Sequence, residues 1–117
     1  MGRSEVVRAL LWEEDPDAAW KDAVAGGCSD ELWLELAGKR EADHPRDVLS
    51  VYRGVAERRI ARKDNAAYRE AVEVLGRLRA VTECLGEQEE FGTYIAALRA
   101  AHRPKRNLMA ALAAAGW

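Results

Sequence analysis

The chemically most suggestive residues in this sequence form the run from Gly26 to Asp30, in which Cys28 follows two glycines and precedes Ser29. A thiol at the start of a helix ionises readily, so Cys28 is a candidate nucleophile that a base such as His44 or His102 would have to reach. The same residues also have local structural roles, because paired glycines end one helix and a serine caps the next. Since these roles explain the whole run, we predict no catalytic residue and no enzymatic activity.

Two cysteines and two histidines together match the number of ligands in a structural zinc site. They are Cys28, His44, Cys84 and His102, and successive candidates lie at least 16 positions apart. Zinc sites usually take their ligands in close pairs such as C-x2-C, a spacing that this chain does not have. We therefore predict no metal site and no cofactor.

A basic run near the end of the sequence is the strongest candidate for a binding surface. It comprises Arg99, His102, Arg103, Lys105 and Arg106 and contains no acidic residue. An acidic or phosphate-rich partner would be held there by charge, and its affinity would fall steeply with salt. No aromatic residue is interleaved for base stacking, which weakens the case for single-stranded nucleic acid. Cations at the end of a helix also suit the helix dipole without any ligand, so both interpretations stay open.

A second candidate set lies on the polar faces of predicted helices. Arg69, Glu73 and Arg77 recur at four-residue spacing, which can stabilise a helix through intrahelical ion pairs. In a tetratricopeptide-like stack, however, the first helix of each pair lines a concave face that holds a peptide. By that analogy, Glu35 and Lys39 would line a groove together with these three residues.

The elements that position these residues are helices, which the sequence marks by apolar spacing and by start and stop signals. The short links between them predict antiparallel pairs, with the last helix covering the final pair. We expect the second predicted helix to bury its apolar face, which carries Ala19, Trp20, Ala23 and Val24. The first five predicted helices run from Ser4 to Glu14, from Asp15 to Gly27, from Ser29 to Asp43, from His44 to Lys63 and from Asp64 to Gly86. The sixth follows Gly86 and ends at Pro104, and the seventh follows Pro104 and ends at Gly116.

The fifth predicted helix carries an apolar seam with alternating steps of three and four residues. This spacing is typical of a coiled-coil seam between two chains, but it also suits the inner face of a hairpin within one chain. The seam is short for a sustained coiled coil, which favours the hairpin. Its members are Tyr68, Ala71, Leu75, Leu78, Thr82 and Leu85.

Aromatic residues recur at distances close to the tetratricopeptide repeat of about 34 residues. Trp33 and Tyr68 lie 35 positions apart, and Trp20 and Tyr52 lie 32 positions apart. We therefore predict an all-α fold with about seven helices in antiparallel hairpins. The hairpins are expected to form a tetratricopeptide-like right-handed stack with a C-terminal capping helix.

The composition predicts one helical domain over residues 1–117. The net charge is −2, but residues 1–45 carry 5 basic and 11 acidic groups, whereas residues 46–117 carry 13 basic and 9 acidic groups. This asymmetry is compatible either with an acidic partner at one end or with ordinary solvated helix faces. With no apolar run of membrane-spanning length and no signal peptide, we expect a cytoplasmic chain with free thiols and no membrane contact.

Four phrases of the sequence, CSDELWLELA, HPRDVLSVYR, NAAYREAVEVL and HRPKRNLM, lie within residues 19–112. They resemble the helical C-terminal region found in bacterial, especially actinobacterial, SWIM zinc-finger proteins and in related proteins of unknown function. The resemblance implies a tetratricopeptide-like fold and an interaction role. It does not imply zinc, because a SWIM finger needs a C-x-C and a C-x-H pair, whereas this chain has only Cys28 and Cys84.

These observations predict a non-catalytic protein–protein interaction or scaffold domain, either excised from a longer protein or standing alone. Its partner would be a peptide or a neighbouring domain, and the sequence identifies neither the partner nor the oligomeric state. The alternative is a nucleic-acid-associated accessory module that uses the basic C-terminal part.

Overall fold

The computed structural model describes residues 16–117, which form six helices and no strand. The all-helical class is thus confirmed for the described residues, and the predicted helix from Ser4 to Glu14 lies outside them. The chain divides between Val51 and Tyr52 into two compact units, here named the N-terminal unit and the C-terminal unit. The helices are α1 (Pro16–Gly26), α2 (Asp30–Arg40), α3 (Pro45–Ala61), α4 (Asn65–Cys84), α5 (Gln88–Ala101) and α6 (Arg106–Ala114).

In the N-terminal unit, α1 packs against α2 around a small apolar core. Ser29 caps α2, since its hydroxyl accepts a hydrogen bond from the Leu32 amide at 3.3 Å. This satisfies an amide that would otherwise have no partner in the first turn, as the sequence predicted. The core consists of Ala19, Ala23, Leu32 and Leu36, with Trp20, Cys28 and Trp33 packed against it.

The prediction that Val24 is buried was wrong. Its side chain is 63% exposed, whereas Ala19 and Ala23 on the same helix are fully buried. Two alanines leave α1 close to α2 along a narrow stripe, and Val24 falls just outside that stripe. The apolar spacing of the sequence therefore overestimated the width of the buried face.

In the C-terminal unit, α4 is the central helix and packs against both α5 and α6. Asp64 caps it, with the carboxylate accepting a hydrogen bond from the Ala67 amide at 2.7 Å. The predicted seam is buried within the chain, except for the half-buried Leu85. Ala67, Val74 and Val81 are buried as well, so the apolar face of α4 is wide enough to contact two helices of its own chain.

The short helix α6 completes this core. Leu108 and Leu112 are fully buried, and the ring of Trp117 meets that of Phe91 edge-to-face at 5.3 Å. The seventh predicted helix, which was expected to cover the last pair, thus corresponds in position to α6. Within residues 16–117, every helix is either too short or too polar to cross a lipid bilayer.

Candidate functional site

A shallow, open cleft of about 390 Å³ lies on the C-terminal unit, where the segment before α4 meets the start of α6. Two chain connections build it, and both are held by helices whose apolar faces are buried. Loops on such scaffolds frequently carry binding sites. The cleft is lined by Lys63, Asn65, Tyr68, Pro104, Lys105, Arg106 and Asn107.

The end of α3 places Lys63 in an unusual backbone conformation. Its φ is +59°, and among the described residues it is the only non-glycine residue with a positive φ. Its amide donates to the Ile60 carbonyl oxygen at 3.1 Å, which closes the end of the helix. A side chain in this left-handed region costs about 1–2 kcal/mol relative to glycine.

The connection between α5 and α6 supplies the opposite side of the cleft. The Lys105 amide donates to the His102 carbonyl oxygen at 2.9 Å, which fixes the turn around Pro104. Lys105 is the N-cap residue of α6, and its side chain makes no capping hydrogen bond. The Asn107 amide group donates to the Asn65 side-chain oxygen at 2.9 Å and so links the two sides.

The cleft is electropositive. Its lining includes three cations, Lys63, Lys105 and Arg106, and no acidic residue. Among the residues that the structure describes, none of the three has an ion pair or a side-chain hydrogen bond. The carboxylate of Asp64 caps α4 and is not part of the cleft lining. These three cations therefore have no ion-pair partner among the described residues.

The structure separates the members of the predicted basic run. Lys105 and Arg106 line the cleft, and Arg103 is exposed in the turn before it. Arg99 instead donates to the main-chain oxygen of Trp117 at 2.7 Å, so its guanidinium has a structural partner. His102 ends α5 through its amide, which donates to the Leu98 carbonyl oxygen.

The second predicted set is not brought together at this cleft. Glu35 and Lys39 are exposed on α2 in the N-terminal unit, whereas Arg69 and Glu73 are exposed on α4 in the C-terminal unit. Arg77 is half-buried, and its guanidinium donates to the Tyr52 hydroxyl at 2.9 Å. Arg77 therefore anchors a buried tyrosine, and the four exposed residues stay candidates for a partner surface.

Sequence reasoning missed Lys63, Asn65 and Asn107. The sequence pattern marks Lys63 only as the end of the predicted helix that begins at His44. The available signal was a lysine directly before the cap residue Asp64, at a position where helices commonly end in glycine. The two asparagines carried no signal, because their pairing joins residues 42 positions apart.

Cys28 is half-buried and packs against the small core of the N-terminal unit. This contact gives it a structural role beside the Ser29 cap. Within residues 16–117, no three His, Cys, Asp or Glu side chains gather in a metal-ligand arrangement.

The phenol of Tyr94 on α5 has a raised pKa. Burial raises the pKa of its phenol well above the ordinary value, and the nearby Glu57 carboxylate raises it further, while Arg53 opposes the shift. The hydroxyl is shielded from solvent, yet no well-formed hydrogen bond to it is present among the described residues. It thus stays protonated and has no acid–base function at neutral pH.

No protein-family model, curated protein or solved structure matches this chain.

Proposed function

We propose that this chain is a non-catalytic protein-interaction module that binds a peptide or a neighbouring domain. The observation that supports this most directly is the open cleft lined by Lys63, Lys105 and Arg106 on the C-terminal unit. Shape and charge suit contact with another molecule, because the cleft is open to solvent and its cations have no described partner.

The remaining parts of the proposal come from the sequence. The helices would belong to a tetratricopeptide-like right-handed stack with α6 as its cap, of the kind that accompanies SWIM zinc fingers in bacterial proteins. The recurrence of Trp33 and Tyr68 at 35 positions supports this arrangement. We place the protein in the cytoplasm, where Cys28 and Cys84 would stay reduced.

Site-specific photo-crosslinking tests the interaction role. The photoreactive residue p-benzoylphenylalanine replaces Asn107 in the cleft, and the protein is irradiated in an extract of its source organism. We expect one discrete crosslinked protein. The matched control carries the same residue at Val24, which is 63% exposed on the N-terminal unit. Identical products from both positions, or none from the cleft, would contradict the proposal.

A nucleic-acid accessory role is the second candidate, supported by the excess of 13 basic over 9 acidic groups in residues 46–117. Binding of this kind would weaken steeply with salt, by about one power of the salt concentration for each phosphate contacted. Titrations of duplex DNA, single-stranded DNA and RNA at rising salt test it. Absence of binding at low salt excludes this role.

A further inference from the structure

We infer that the cleft recognises a doubly charged anionic group on a partner peptide, either a phosphate monoester or two neighbouring carboxylates. This inference rests on the proposed protein-interaction function and specifies the chemistry of its partner. Three cations from two separate connections converge on one open cleft, with no acidic residue in its lining.

The three cations of the cleft have no ion-pair partner among the described residues. Lys63, Lys105 and Arg106 carry the same sign and repel one another, and Lys105 is also partly withdrawn from water. Elsewhere in the chain, arginines such as Arg40 and Arg59 are paired with carboxylates. A bound anion would relieve this repulsion, since the attraction between opposite charges strengthens as water is excluded.

The backbone conformation of Lys63 also indicates a functional site. Gly27 and Gly86 hold the left-handed positions after α1 and α4, where glycine is unstrained. At the corresponding position after α3, the chain instead has a lysine with a φ of +59°. Strained residues of this kind are concentrated at functional sites, and here the strained residue places a cation at the edge of the cleft.

The shape of the cleft selects the class of partner. Its aromatic member, Tyr68, is only 7% exposed and offers no ring face on which a nucleic-acid base could stack. The volume of about 390 Å³ accommodates one anionic side chain with part of a peptide backbone. The Asn65–Asn107 pair adds polar groups that can orient an oxygen atom, and the first turn of α6 adds partial positive charge. Three cations exceed what a single carboxylate needs, which favours a doubly charged group.

Amide chemical shifts of the full 117-residue chain test this inference directly. Four probes are titrated: a phosphoserine peptide, the same peptide with two adjacent aspartates, the neutral serine peptide, and a short single-stranded DNA. We expect saturable shifts at residues 63–65 and 105–108 with the first two probes and none with the serine peptide. The stronger of the two anionic probes identifies the source of the charge. Failure of both anionic peptides, or tighter binding of the DNA, would overturn the inference.

Lys63→Gly separates recognition from folding. The change removes both the cation and the left-handed strain, so we expect a melting temperature higher by about 3 °C. Affinity for the anionic probe should fall by about tenfold, the usual effect of losing one charge-assisted hydrogen bond. Arg106→Gln should weaken binding by a similar factor. Lys21→Gln makes the same charge change on an exposed residue of the N-terminal unit and should leave the affinity unchanged.

If Lys63→Gly and Arg106→Gln both bind the anionic probe as tightly as the original chain, the cleft is not the binding site. The two proposals fail separately. If a partner crosslinks at position 107 while the anionic peptides do not bind, only the inferred chemistry is wrong. If the peptides bind but no partner is captured, the interaction role is wrong and the cleft is a site for a small anion.

Discussion

The two units of this protein differ in how deeply they bury an ion-paired arginine. In the N-terminal unit, the Arg40 side chain is 17% exposed where it bonds Asp17 at 3.2 Å and Asp47 at 3.0 Å. In the C-terminal unit, the Arg59 side chain is 8% exposed where it meets Glu70 at 3.4 Å. The carboxylates stay open to water in both units, with Asp47 45% and Glu70 49% exposed, so only the arginine lies deeper in the C-terminal pair.

Their aromatic residues differ in the same way. In the N-terminal unit, Trp20 and Trp33 meet edge-to-face at 5.5 Å and stay half-buried, with the Arg40 guanidinium over the Trp20 ring. In the C-terminal unit, Tyr52 is fully buried, and its hydroxyl accepts the hydrogen bond from Arg77. A surface contact thus adds to the stability of a fold, whereas a buried polar group makes the fold depend on that group's partner.

The largest expected effect tests whether the two cores resist cavities differently. Leu75→Ala on α4 should lower the free energy of unfolding by about 3–4 kcal/mol, because three packed helices cannot collapse into the space. Leu36→Ala on α2 should cost about 2 kcal/mol, since the half-buried tryptophans beside that core can move inward. Urea unfolding followed by circular dichroism measures both. Equal losses would show that the two cores tolerate a cavity equally well. As a surface control, Val24→Ala should change the free energy of unfolding by less than about 0.5 kcal/mol.

The next effect concerns the shielded ion pair. Arg59→Met should cost about 2 kcal/mol, between the values typical of buried and of exposed pairs, because Glu70 is 49% exposed. The double variant with Glu70→Gln should recover part of that loss, since no carboxylate is left without its partner. A double-mutant cycle in urea gives the coupling energy. A coupling energy near zero would show that Arg59 acts through packing alone.

A smaller effect separates two tyrosines of the C-terminal unit. Tyr52→Phe should cost about 1–2 kcal/mol, because it removes the buried hydroxyl that accepts the hydrogen bond from the Arg77 guanidinium. Tyr94→Phe is the matched control and should be close to neutral at pH 7, since that hydroxyl makes no well-formed hydrogen bond. Thermal unfolding of both variants at pH 7 compares them, and equal losses would contradict this account.

The Tyr94→Phe variant should also change how stability depends on pH. Folding raises the pKa of Tyr94 above its ordinary value of 10.0, first by burial and then by the Glu57 charge. The unfolded chain therefore ionises at Tyr94 before the folded chain does, and stability is lost as the pH rises above 10. Tyr94→Phe should shift the alkaline unfolding midpoint upward, and an unchanged midpoint would contradict the raised pKa.

The smallest effect is expected at the surface cluster of the N-terminal unit. Arg40→Gln removes two exposed ion pairs and the contact with Trp20, and should cost about 0.5–1 kcal/mol at low salt. Added salt should reduce the ion-pair part of this loss, because screening acts on exposed charges. Melting temperatures at low and high salt measure it. A loss as large as that of Arg59→Met would mean that depth does not separate the two arginines.

The helix starts at Ser29, Pro45 and Asp64 were predictable because start signals depend on residues within one turn of each other. The bonds made by the charged side chains were not predictable in this way. Arg77 reaches a tyrosine 25 positions away, and Arg99 reaches an oxygen 18 positions away. Both were predicted as surface residues, because on a single helix they fall on its polar side. Of the candidate surface residues, sequence placed Lys105 and Arg106 in one run, but it did not reveal that Lys63 would join them.

The sequence by itself determined the helical class, the caps and most buried positions between residues 16 and 117, since apolar spacing and capping are local properties of the chain. The tertiary structure alone decided which charged side chains meet. It assigned Arg77 and Arg99 to structural bonds, and it brought Lys63 to the same cleft as Lys105 and Arg106. The physical reason is that a charge finds its partners by distance in space, which helix packing determines and which periodicity along the chain does not encode.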